Sequence, residues 1–195
     1  MPHERHGAKQ PERFNPARAA LLDDPARFEY LPVELVIDLL DCPAGAAVLD
    51  FGTGTGAYAI PLATARPDLS VIAFDEQPEM LATLRAKPEA AALSNLRPLL
   101  PDSISEFIGA VDRILAINVL HELGDDALRG LVELLKPAGR ALFIDWSADV
   151  ERPVGPPRDH VYSESDAARR LAQFGLACKQ RAPLRYHYAI EARRA

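Results

Sequence analysis

The sequence predicts an α/β protein with a doubly wound, mostly parallel seven-stranded sheet, a C-terminal antiparallel hairpin and a short N-terminal helical cap. Three observations carry this. Short apolar runs alternate with helical patterns from about residue 46 onward, and repeated βα units require a parallel sheet covered on both faces. The first run ends in a glycine cluster, Gly52-Thr-Gly-Thr-Gly56, which lets the chain turn sharply from strand to helix. The length of 195 residues suits one domain of the usual ~100–200 residues, with a tail and helical cap over 1–41 and the sheet domain over 42–195.

The elements follow in order. Ala46 to Phe51 reads as a buried strand and Ala57 to Ala65 as a helix in which Pro61 falls early and threatens a kink. Ser70 to Asp75 is the second strand and Pro78 to Ala86 a helix opened by proline. Leu96 to Leu100 is a weaker third strand, with one or two helical turns over Ser103 to Ile108. Asp112 to Asn118 is the fourth strand and Asp125 to Leu135 a helix with Asp125 as N-cap. Lys136 to Gly139 reads as a turn before the fifth strand, Arg140 to Trp146. Ser163 and Asp166 have capping-box spacing for a helix to about Phe174. Leu176 to Arg181 and Arg185 to Arg193 close the chain as two strands around Pro183. Ahead of the sheet, Pro16 to Leu22 and Pro25 to Leu40 are proline-initiated helical stretches that should pack on it as a cap.

Composition narrows the function classes. The net charge is -6, which argues against nucleic acid as a partner because phosphate binding wants a basic face. The stretch from Glu151 onward, with nine Lys/Arg against five acids, reads as a solvated surface. Cys42 and Cys178 stand far apart with no C-x-x-C pair, so neither a disulfide frame nor a zinc site is indicated and a reducing cytoplasm is the expected compartment. The polar first ten residues have no apolar core of a secretory signal, and no run approaches the ~18 apolar residues of a membrane span. His3, His6, His121, His160 and His187 show no metal-ligand spacing, so no metal is expected.

The run Val48 to Gly56 is the most informative segment. In open α/β sheets ligands sit beyond the carboxyl ends of the strands, where strand order reverses. Gly52, Gly54 and Ala57 also satisfy the dinucleotide pattern G-x-G-x-x-G/A, so the loop alone is ambiguous. Asp50 before it would oppose a pyrophosphate but suits a ligand's ammonium group. Asp75 suits a ribose diol, in a nucleoside of either kind, or could cap the next helix. No Tyr-x-x-x-Lys pair for hydride chemistry is present.

In order and spacing, VLDFGTGTG, IAFDEQPEML, DRILAINVLHEL and LLKPAGRALFIDW resemble the successive motifs of class I S-adenosylmethionine-dependent methyltransferases across roughly residues 46 to 146. GPPRDHVYSESDAARRLAQFGL resembles small bacterial and archaeal members of that superfamily. The resemblance implies a Rossmann-like methyltransferase fold, with S-adenosylmethionine as cofactor and S-adenosylhomocysteine as product. By position it implies that Asp50 and Gly52 hold the methionine end, with Thr53, Gly54 and Gly56 forming the loop beneath. Asp75 would bind the ribose hydroxyls, Glu76 and Gln77 would flank the adenine, and Asp102 and Ser103 would sit at its edge. Asn118 and Val119 would lie near the methionine backbone. Tyr58 is either cofactor cover or packing, and Asn118 either a ligand contact or a turn residue.

Methyl transfer from a sulfonium is an in-line displacement with a neutral leaving group. Positioning can supply ~7–11 kcal/mol of the barrier, against about 3–5 kcal/mol for the ~10²–10⁴-fold given by a general base. The cofactor site is therefore easier to locate than the catalytic group. His121, after the fourth strand, is the first candidate base, or it fixes the loop. His160 and Tyr162 follow the stiff Gly155-Pro-Pro157 and are candidates over the pocket. Trp146 is an acceptor wall or core. The expected function is methyl transfer to a small-molecule acceptor. The alternatives are a non-catalytic methyltransferase fold acting through a partner, and a nicotinamide oxidoreductase.

Overall fold

A computed structural model describes residues 13–181 and 184–195. Seven strands form one sheet: β1 (Ala47–Phe51), β2 (Ser70–Phe74), β3 (Leu96–Leu99), β4 (Val111–Ile117), β5 (Leu135–Trp146), β6 (Leu176–Gln180) and β7 (His187–Arg194). Their order is β3-β2-β1-β4-β5-β7-β6. The first five pair in parallel, and β7 runs antiparallel to β5 and β6. The closing pair is thus the expected hairpin, while its Pro183 turn, like His3 and His6, lies outside the described residues. Chain order reverses between β1 and β4, so both strands deliver their carboxyl ends to one crevice.

Alternation along the strands builds two cores. Val48, Val71, Ala73, Leu115, Ile117, Leu142 and Ile144 join one cluster, covered by α2 (Val33–Leu40) and α3 (Ala59–Ala65). Leu49, Phe51, Ile72, Phe74, Ile114, Ala116 and Phe143 join the other, covered by α6 (Asp125–Leu134) and α7 (Glu164–Gln173). Helices on both faces explain why these strands read as continuous apolar runs. The segment between β2 and β3 forms α4 (Pro78–Ala86) and the short α5 (Pro88–Ala91).

Several boundaries differ from expectation for local reasons. Gly124, in extended geometry, is the N-cap of α6, and Asp125 is its first residue, where a carboxylate still favours the helix dipole. Pro61 is the third residue of α3, within the first turn, whose N–H groups lack intrahelical partners anyway, so proline removes no bond. β5 begins at Leu135, but between Val111 and Arg113 of β4 it advances from Leu135 to Arg140. The Lys136–Gly139 stretch read as a turn is this bulge. A Cβ on Gly139 would lie 2.8 Å from the Val111 carbonyl, and Lys136 Nζ is tied to both Asp112 oxygens at 2.8 Å. Ser163 caps α7 by accepting from Asp166 N at 3.0 Å and donating to Asp166 Oδ2 at 2.7 Å.

The N-terminal segment forms a 3₁₀ helix over Pro16–Asp23, then α1 (Ala26–Tyr30). It is pinned to the glycine loop: the buried Thr55 hydroxyl donates to Asp23 Oδ1 at 2.7 Å, and Lys87 Nζ reaches the same oxygen at 2.8 Å. Among the described residues no helix is long and apolar enough to cross a membrane.

Candidate active site

Beyond β1 the chain turns on Gly52 (φ 75°) and Gly54 (φ 57°), conformations that favour glycine. The neighbours enforce the choice: a Cβ on Gly52 would lie 2.5 Å from Val119 Cγ1, and one on Gly54 2.7 Å from Leu22 Cδ1. Gly52 N and Thr53 N both donate to the Phe74 carbonyl at 2.9 Å, which seats the loop on the end of β2. Asp50 is 3% exposed and accepts from the Thr53 hydroxyl at 2.7 Å. Burial pushes its carboxyl up to about 6, against the Thr53 hydrogen bond. A buried carboxylate so weakly satisfied favours a cationic ligand beside it.

Asp75 follows β2 and is also buried. Its Oδ2 accepts from Gly54 N at 2.8 Å and its Oδ1 from Gln77 N at 2.9 Å. Burial raises its pKa against these two bonds. It therefore caps the turn into α4 and braces the glycine loop, while each oxygen keeps a lone pair for a further donor.

On the other side of the crevice, β4 is followed by Asn118, in left-handed geometry with φ 58°. Its N–H donates to the Ile144 carbonyl at 2.8 Å, and its buried Oδ1 has no partner among the described residues. Three residues on, His121 sits against the buried Asp145 of β5. His121 Nδ1 lies 2.8 Å from Asp145 Oδ1, and His121 N donates to Asp145 Oδ2 at 3.0 Å. Trp146 N donates to Asp145 Oδ1 at 2.7 Å. His121 Nε2 lies 3.6 Å from Glu122 Oε1. Burial draws the His121 pKa down, but the charge and hydrogen bond of Asp145, with Glu122, outweigh it, so the net shift is upward. Burial likewise raises the Glu122 carboxyl.

These groups face a cavity of about 1370 Å³, more than the ~300–1,000 Å³ of a site for one small ligand. Asp50, Gly52, Thr53, Gly54, Tyr58, Asp75, Glu76 and Gln77 line one side of it; Asn118, Val119, His121, Trp146, His160 and Tyr162 line the other. The N-terminal segment crosses between them. Phe14 N donates to Glu122 Oε2 and Phe14 O accepts from Gln77 Nε2, both at 3.2 Å, and Arg13 pairs with Glu76 at 2.9 Å. Over Trp146 lies the 152–157 loop, where a Cβ on Gly155 would come within 2.9 Å of the indole. Beneath, the indole stacks on His187 at 4.1 Å. Burial drives the His187 pKa down to about 3, so this imidazole is a neutral core ring.

Three expected residues stand apart from the cavity. Gly56 (φ 81°) abuts Leu84 and Ile60 instead. Asp102 and Ser103 lie in a 3₁₀ helix over Pro101–Phe107, and that segment presents Pro101, Ile104 and Ser105 to the cavity; Pro101 and Ile104 share a face because residues three apart eclipse in such a helix. The Tyr58 hydroxyl is committed to the Leu31 carbonyl at 3.0 Å, so only its ring faces the space. The partnership of His121 with Asp145 and the clasp by Phe14 were not visible in the sequence. Only the first left a signal: two polar residues, one soon after β4 and one next to the last residue of β5, on strands that prove adjacent.

Residues 49–141 match the methyltransferase domain family. A solved S-adenosylmethionine-dependent methyltransferase from Aquifex aeolicus is 30% identical, with a TM-score of 0.82 over 92% of this chain and 98% of that one. Demethylmenaquinone methyltransferase of Thermus thermophilus is 32% identical over 56% of this chain and 51% of its own length. Release factor glutamine methyltransferase of Escherichia coli is 39% identical over 32% of this chain. The chain thus spans about half of the Thermus relative and only 22% of the Escherichia coli one. The match to the Aquifex protein runs nearly end to end: the chain belongs to the S-adenosylmethionine-dependent methyltransferases.

Proposed function

We propose that this protein transfers the methyl group of S-adenosylmethionine to a small-molecule acceptor carrying a proton-bearing nucleophile. The observation that carries the proposal is one crevice with two buried carboxylates on one side and a hydrogen-bonded His121–Asp145 pair on the other. Bound S-adenosylmethionine supplies a methyl group on a positive sulfur. Asp75 would accept from the ribose hydroxyls and Asp50 would take the ammonium. Asp145 fixes the imidazole through Nδ1, leaving Nε2 to accept the acceptor's proton as the nucleophile–carbon bond forms and the sulfur–carbon bond breaks. Glu122, beside Nε2, favours the imidazolium that results. Trp146, His160 and Tyr162 would shape the acceptor's place.

A small molecule suits this crevice better than a macromolecule. Relatives are named as methyltransferases of release factor glutamine, demethylmenaquinone and small-subunit ribosomal RNA, so family membership leaves the acceptor open. Here the clasp of Phe14 over the crevice and the net charge of -6 favour a compact acceptor over an extended anionic one. Calorimetric titration of S-adenosylmethionine and S-adenosylhomocysteine tests the first half, with Asp75→Ala expected to weaken both at least tenfold. A methyl-transfer screen over phenols, thiols and amines tests the second. A folded wild type that binds neither nucleoside overturns the proposal.

A further inference from the structure

The loop that follows β5 is held by one of its own side chains. Arg152 Nη1 donates to the Val154 carbonyl at 3.1 Å and to the Pro156 carbonyl at 2.6 Å. The two bonds bracket Gly155, at φ 91°, which lies so close to the Trp146 indole that a Cβ would not fit. The same guanidinium lies over the indole, 5.2 Å from its ring centroid. Trp146, Val154, Gly155 and Pro156 all line the cavity, whereas Arg152 does not. One residue outside the cavity thus fixes this stretch of its wall.

A neutral donor would serve as such a clamp, yet a cation stands here at a cost. Nε and Nη2 of Arg152 are buried without partners among the described residues, and its hydrogen bonds go to carbonyls alone. Burial and the charge of Arg158 draw its pKa down, against the pull of Asp145. A buried charge so incompletely satisfied is costly to the fold. Its place gives the charge a use. Asp145 and Glu122 favour the protonated form of His121, and Arg152 is the cation that opposes them.

We propose that Arg152 is a positioning residue with two roles: through Nη1 it holds the 154–156 wall against Trp146, and its unpaired charge acts on the His121–Asp145 pair. Assigning that wall to the acceptor rests on the methyltransferase proposal above. A wall set before the acceptor arrives spares the cost of ordering it on binding, and a cation near the imidazole keeps more of it neutral, the form that can take a proton.

The test separates clamp from charge. Arg152→Gln and Arg152→Met remove both, and Arg152→Lys keeps the charge without the paired bonds; thermal melts confirm folding. Trp146 is the single tryptophan of the chain, so its fluorescence reads the wall directly. Acrylamide quenching should rise about twofold or more in both neutral variants, as expected when a packed loop opens locally. The imidazole of His121 is titrated by NMR, its signal assigned by its loss in His121→Ala. Its midpoint should move to higher pH in Arg152→Gln and Arg152→Met and stay in place in Arg152→Lys. Quenching unchanged in both neutral variants overturns the clamp. A midpoint unmoved in them, or moved as far in Arg152→Lys, overturns the action of the charge. Neither readout needs a bound nucleoside, so either failure leaves the cofactor proposal standing, and a wild type that binds no nucleoside overturns that proposal alone.

Discussion

The two sides of the crevice are built by different means. On the side of the glycine loop, backbone groups carry the contacts: Gly52 N and Thr53 N bond to the Phe74 carbonyl at the end of β2, and Gly54 N donates to Asp75. On the side of His121, side chains carry them, and some come from far along the chain. His121 meets Asp145 on the neighbouring strand, Phe14 finds Glu122 across 108 residues, and Trp146 stacks on His187 of β7. The first kind of site is fixed by local conformation and leaves a motif. The second is fixed by which strands become neighbours, and it is free to vary on the same scaffold.

If the sides are separable, substitutions on each should act on different quantities. The largest effect is expected at His121. Replacing it with Ala should cut turnover by about 10²–10⁴-fold while leaving the affinity for S-adenosylhomocysteine nearly intact; a matching loss of affinity would break the separation. Asp145 sharpens the point through pH. A base must be neutral, and the neutral form of His121 dominates only above its raised pKa, so turnover should climb with pH along a limb lying above the ordinary 6.5. Asp145→Asn removes the chief raising influence, so the limb should move to lower pH as turnover falls. A limb that stays in place would take His121 out of proton transfer.

Gly52→Ala comes next. Backbone strain at positive φ costs roughly 1–3 kcal/mol, and the added Cβ meets Val119 at 2.5 Å. Cofactor affinity should fall about tenfold to a hundredfold by calorimetry. Because Val119 leads into the His121 loop, a loss of turnover at saturating cofactor would show how far this single contact couples the two sides.

The smallest effect belongs to the floor under Trp146. Neither His187 ring nitrogen has a partner among the described residues, and a buried unsatisfied group costs about 1–3 kcal/mol. His187→Phe should therefore raise the melting temperature by a few degrees at pH 7. The sign with pH follows from its pKa of about 3 when folded against an ordinary 6.5. Between these values the unfolded chain binds the extra proton, so the wild type loses stability as pH falls through that window. The advantage of the Phe variant should widen there, and a constant difference would show that His187 is protonated in the fold.

How far the sequence reached follows the same division. The apolar runs placed the strands to within a residue or two, since a strand buried on both faces must be apolar throughout. They erred where capping geometry or sheet register decides: Asp125 against Gly124, and the Lys136–Gly139 bulge. The glycine loop, Asp50 and Asp75 were legible because positive φ and a carboxylate at a strand end leave few residue choices. Gly56, Asp102 and Ser103 were placed near the ligand by motif position, whereas helix phase and packing against Leu84 set them aside.

By itself, then, the sequence determined the layered architecture and the glycine-loop end of the crevice, because short-range conformation and alternating burial are written in neighbouring residues. Only the tertiary structure decided that Asp145 holds His121 and that Phe14 clasps Glu122 and Gln77. Those pairings depend on sheet order and on where the cap lands, and no short stretch of chain encodes either.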